Sequence, residues 1–89
     1  MRSQSAVSQA EYVGGSKVRL RLLLSLITGP KSQSQLASME NKHVSHVSRA
    51  LSEMKVRGIV ESLPGGSRET FYRLTSEGYI VYSVLSKIN

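Results

Sequence analysis

His43-Val44-Ser45-His46-Val47-Ser48-Arg49-Ala50-Leu51-Ser52-Glu53-Met54-Lys55-Val56-Arg57-Gly58 is the stretch that decides the fold, because the period of the apolar residues changes at its end. Val44, Val47, Ala50, Leu51 and Met54 recur at spacings of three and four, the stripe of a helix with one buried side. Gly58 stops that helix. Beyond it, Ile59-Val60-Glu61-Ser62-Leu63 reads as a strand, Pro64-Gly65-Gly66-Ser67-Arg68 as a turn, and Thr70-Phe71-Tyr72-Arg73-Leu74 as the returning strand. A helix over about 43–57 that runs into a β-hairpin predicts an α+β domain.

Upstream, Ser32-Gln33-Ser34-Gln35 has the form of a capping box, in which Ser32 satisfies an orphan amide and Gln35 reaches back. It predicts a short helix carrying Leu36, Ala37 and Met39 to about Glu40, joined to the next by Asn41 and Lys42. Before that, Ser16 starts a helix through Val18, Leu20, Leu22, Leu23, Leu24, Leu26 and Ile27, and Gly29-Pro30 stops it near Thr28. Residues 1–15, rich in Ser and Gln and closed by Gly14-Gly15, read as an N-terminal arm. Ala6, Val7, Ala10 and Val13 would line one side of a short helix there if something covered it. The domain proper is expected to span 16–89.

Downstream, Thr75 caps a last helix, roughly Ser76 to Ile88. Tyr79, Ile80, Val81, Tyr82, Val84, Leu85 and Ile88 make it apolar around most of its circumference. One small core cannot cover so much, and exposed apolar patches of that size mark association. A homodimer joined through Tyr79, Ile80, Tyr82, Val84, Leu85 and Ile88 is therefore expected.

With 89 residues, 39% of them apolar and 20% charged, the chain suits one soluble domain. No apolar run approaches the roughly 20 residues needed to cross a bilayer, and the first residues lack the apolar core of a secretion signal. With no cysteine, disulfide, thiolate-metal and thiol-redox chemistry are excluded. A cytoplasmic setting with no membrane partner is the expectation. The net charge of +6 is not spread evenly, because residues 16–60 hold eight cations against two acids and the flanking segments balance. Such a surplus suits a polyanion or is simply a solvated basic surface.

At this point the sequence resembles a known family, the winged helix-turn-helix DNA-binding domains of small prokaryotic regulators of the MarR and ArsR kind. The resemblance spans Ser16 to about Leu85 and rests on four stretches in order. These are Ser34-Gln35-Leu36-Ala37, Val44-Ser45-His46-Val47-Ser48-Arg49-Ala50-Leu51, Lys55-Val56-Arg57-Gly58-Ile59-Val60 and Tyr72-Arg73-Leu74-Thr75-Ser76-Glu77-Gly78. The resemblance implies three helices, a two-stranded β-hairpin wing and a C-terminal helix. It also implies a homodimer that regulates transcription by binding double-stranded DNA. One departure is visible: the family usually places an apolar residue and a Gly in the turn before the recognition helix, where this chain has Glu40-Asn41-Lys42.

The residues support that reading independently. A helix enters the major groove only if its reading side is short and polar beside one long donor. Ser45, His46, Arg49 and Ser52 meet that condition, with Lys42 and His43 at the helix start. Arg49 is expected on guanine, and Arg68 at the hairpin tip on phosphate or in the minor groove. Ser32, Ser34 and Lys17 are expected on the DNA backbone. The plain alternatives are a solvated helix side and a solvated loop arginine. His43, His46 and Glu40 have a spacing that suits a metal, but a DNA-facing helix explains the histidines better. No nucleophile motif accompanies the serines, so neither an enzyme nor a cofactor is expected. A small-molecule effector is left open. The competing function is a winged-helix module for protein interaction or for nonspecific DNA coating and partition.

Overall fold

The structure is a computed structural model that describes residues 5–63 and 69–88. Its elements are α1 (Ala6–Gly14), α2 (Lys17–Ile27), β1 (Lys31–Ser32), α3 (Gln33–Glu40), α4 (Val44–Val56), β2 (Val60–Leu63), β3 (Phe71–Leu74) and α5 (Ser76–Ile88). The expected helices and hairpin strands are present. Two further elements, α1 and β1, join them.

Local chemistry sets the boundaries. Ser16 accepts from the Arg19 amide at the start of α2. Ser32 and Gln35 form the reciprocal capping box of α3, at 3.1 and 2.9 Å, an arrangement that stabilises a helix start by about 1 kcal/mol. Gly58, at φ 78°, takes the left-handed conformation that ends α4. At the exit of the hairpin, the Thr75 hydroxyl donates to the Gly58 carbonyl at 2.6 Å and accepts from the Gly78 amide at 3.0 Å. The start of α5 is thereby tied to the end of α4.

The sheet has three antiparallel strands in the order β1-β3-β2. Val60 faces Leu74 and Leu63 faces Phe71 across the hairpin, while Lys31 and Ser32 pair with Tyr72 and Phe71 on the other edge of β3. The expected sheet of two strands thus gains a third. A strand of two residues has no period to read, and its pairing is visible only once α3 has been placed.

Leu22, Leu23, Leu26, Leu36, Val47, Leu51, Met54, Ile59 and Val81 form the centre of the core, all fully buried. Ala10 and Val13 of α1 belong to the same cluster. The segment read as an arm therefore packs into the domain as a helix, chiefly along α5. Ala10 and Val13 find their cover within the chain, while Val7 stays 59% exposed.

Candidate nucleic-acid interface

The turn that orients α4 is built on Asn41, which adopts the left-handed conformation, φ 54° and ψ 46°. Asn is the residue after glycine that best tolerates this region, so the departure from the family pattern keeps a tight turn. The Lys42 amide then bonds back to the Ala37 carbonyl at 3.0 Å. From there α4 buries Val47, Ala50, Leu51 and Met54 and leaves Lys42, His43, Ser45, His46, Arg49 and Ser52 exposed.

These side chains share shallow clefts with both basic and acidic neighbours. Arg49, His46 and Lys42 line one shallow cleft with Arg19 and Glu53, and Lys42 lines a second with Lys17 and Arg21. Ser34 lies exposed beside Lys42 and His43 in a third. Lys17, Lys42, His46 and Arg49 are thereby linked through Lys42, in clefts that Glu40 and Glu53 also line. The His43 and His46 rings meet edge to face, with centroids 6.1 Å apart.

Not every cation counted in the sequence belongs to that group. Lys31 donates to the Ser25 and Gly29 carbonyls at the end of α2, at 3.0 and 3.3 Å, where a helix carries partial negative charge. Arg21 pairs with Glu40 at 3.6 Å. Arg19 and Arg57 both stack on the Tyr12 ring, their guanidinium carbons 4.0 and 3.7 Å from its centroid. Among the described residues Lys17, Lys42 and Arg49 have no hydrogen-bond or ion-pair partner, and all three are exposed.

Ser32 is a correction. It is 1% exposed and its hydroxyl accepts from the Gln35 amide, so it caps α3 and cannot reach a DNA backbone. Beside it, Gln33 donates to Ser48 at 3.4 Å and to the Tyr72 hydroxyl at 3.2 Å, locking α3, α4 and β3 together. Arg68 and the hairpin tip lie outside the described residues. The strands leading to that tip are braced by an Arg73–Glu61 pair at 2.6 Å and by Lys55 donating to Ser62 at 3.0 Å.

The sequence did not reveal a cluster that joins α1 to the C-terminal half of α4. Gln9, 1% exposed, donates to the Arg57 carbonyl at 2.7 Å and accepts from the Arg57 guanidinium at 3.1 Å. The Tyr12 hydroxyl donates to Glu53 at 3.1 Å. Burial, then the bond to Glu53 and its charge, hold the Tyr12 phenol above its ordinary value against the opposing Arg19 and Arg57, so it stays a donor at neutral pH. These partners are more than forty positions apart along the chain. The polar Gln9 within the otherwise apolar side of α1 was the only local sign.

Tyr79, Ile80 and Tyr82 of α5 remain 49%, 48% and 37% exposed. Val84 and Leu85 are half-buried against the chain's own core, and Val81 is fully buried there. Ile88 ends α5, and its side chain lies outside the described residues. No described helix is long and apolar enough to cross a membrane.

Residues 9–89 match the family model described as the N-terminal domain of the methanogenesis regulatory protein FilR1. No curated protein matches the sequence. Among solved structures, one described as a MarR-family transcriptional regulator from Enterococcus faecalis V583 is 25% identical, with a TM-score of 0.82 over 99% of this chain and 83% of that one. TubR bound to 24 bp of tubC, from Bacillus thuringiensis serovar israelensis, superposes over the whole of both chains with a TM-score of 0.88 at 15% identity. HlyU from Vibrio cholerae N16961 is 22% identical, with a TM-score of 0.73 over 93% of this chain and 84% of that one. At those last two identities the likeness is one of fold, and the fold is the winged helix.

Proposed function

Since the chain belongs to the family of the FilR1 N-terminal domain, we propose that it is a homodimeric transcriptional regulator that binds double-stranded DNA sequence-specifically. Helix α4 enters the major groove, and the 64–68 tip lies on the backbone or in the minor groove. The observation that carries this reading is the exposed polar side of α4, Ser45, His46, Arg49 and Ser52, flanked by Lys17 and Lys42, which have no partner among the described residues. A helix side of small hydroxyls with one free guanidinium suits base edges, and point charges on its flank suit phosphate. Ser34 and His43 serve the backbone beside Lys42. Selecting bound fragments from random duplex DNA tests the proposal. Recovery of one palindromic motif supports it, and equal retention of all sequences would favour a coating protein.

Affinity is expected to fall steeply with salt. If a dimer neutralises roughly six to ten phosphates, binding weakens by about 10³–10⁵ between 50 and 200 mM salt. Fluorescence anisotropy across that range measures the slope. A flat response would assign the surface to protein docking instead.

Tyr79, Ile80 and Tyr82 are the apolar side chains of α5 that the chain itself leaves uncovered, and a second copy is proposed to cover them with help from Ile88 and the partly exposed edges of Val84 and Leu85. Sedimentation at tens of micromolar should show a dimer. A monomer at that concentration would remove α5 as the interface.

A further inference from the structure

Arg49 and Glu53 stand four residues apart on α4, the spacing at which a helical arginine and glutamate pair across one turn. They line the same cleft. Yet no ion pair joins them. Glu53 instead accepts from the Tyr12 hydroxyl at 3.1 Å, and Arg49 has no partner among the described residues.

The position of Tyr12 is heavily determined. Its ring is held between Arg19 and Arg57, and the Arg19 Nε donates to the Tyr12 carbonyl at 2.7 Å. Gln9, one turn earlier on α1, bonds to both the carbonyl and the guanidinium of Arg57. The hydroxyl is thus presented to Glu53 by a ring that two cations and a buried glutamine fix in place. Because the phenol remains protonated at neutral pH, the donor is always available.

We propose that Tyr12 is a positioning residue for DNA reading: by holding the Glu53 carboxylate, it keeps the Arg49 guanidinium unpaired and free for a base edge. Without that hold, the carboxylate has two costs for binding. It competes with guanine for Arg49, and it adds mobile negative charge beside the phosphates. Each is modest, since an exposed pair four residues apart is weak. The inference rests on the proposed DNA reading by Arg49, and the test separates the two.

Tyr12→Phe removes the hydroxyl and keeps the ring between the two arginines. It should bind the selected site about two- to fivefold more weakly, with a smaller loss on scrambled DNA. Glu53→Gln alone should weaken neither. In the Glu53→Gln background, Tyr12→Phe should have no further effect, because the competing charge is gone. Equal losses in both backgrounds would mean that Tyr12 acts only by packing α1 on α4, and no loss in either would leave it without a role. A second readout needs no DNA: the Glu53 carboxyl carbon signal in NMR. Arg49→Ala should leave that signal in place when Tyr12 is present and shift it when Phe stands there. If wild type ignores DNA sequence but the NMR contrast holds, the reading by Arg49 fails and the positioning by Tyr12 survives. If the signal responds to Arg49→Ala in both backgrounds, the positioning fails whatever the DNA result.

Discussion

Gly78→Ala should destabilise the protein by about 2 kcal/mol, which lowers the melting midpoint of a domain this size by roughly 8–16 °C. Helix propensity argues the other way, since alanine is better than glycine inside a helix by about 1 kcal/mol. The contacts decide it. A Cβ at Gly78 would collide with the Ile59 carbonyl oxygen and stand only 3.1 Å from the Leu74 Cβ. Neither can yield cheaply. The Ile59 carbonyl already accepts from the Thr75 amide at 3.0 Å, and Leu74 is buried in the core. To admit the methyl, α5 must lift from the end of α4, loosening the Thr75 tie and the seat of Val81 together. Thermal melting monitored by circular dichroism measures the effect. An unchanged or higher midpoint would mean that α5 moves aside freely and that the Thr75 bonds do not fix the corner.

What the sequence showed and what it concealed divide along one physical line. Features written in consecutive residues were legible: the period change at Gly58, the Ser32–Gln35 box, the Ser16 start and Thr28 stop, and the Thr75 cap. Each is decided by neighbours within four positions. What depended on a distant partner was not. The apolar circumference of α5 suggested a second copy over Tyr79, Ile80, Tyr82, Val84, Leu85 and Ile88, but α1 and the core half-bury Val84 and Leu85, beside the fully buried Val81. The same pairing explains why Ala10 and Val13, read as one side of an arm, are buried. Ser32 carried two readings, cap and phosphate contact, and burial allowed only the first. The charge surplus of residues 16–60 was real as a count, yet Arg19, Arg21, Lys31 and Arg57 are engaged within the fold. Composition locates charge along the chain, and only packing shows which charges remain free.

Arg49→Ala and Arg68→Ala should fail in different ways, and the difference identifies which residue reads sequence. Arg49 projects from the middle of α4, on the side away from the buried Val47 and Leu51, and is exposed and unpartnered among the described residues. On the proposed reading, that guanidinium makes a bidentate pair with guanine. Its loss should cost about 1–3 kcal/mol on the selected site and relax selectivity at one base pair in each half-site. Arg68 belongs to the Gly-rich tip beyond the Arg73–Glu61 brace. A phosphate contact from that tip carries no direct sequence information, so its loss should weaken selected and scrambled DNA by similar factors and flatten the salt slope by about one per subunit. Titrating both variants against both duplexes at two salt concentrations separates the roles. Arg49→Ala lowering both affinities equally would remove that residue from base reading. Because Arg49 is the one long donor on the proposed reading side of α4, that result would also shift the proposal toward the coating function.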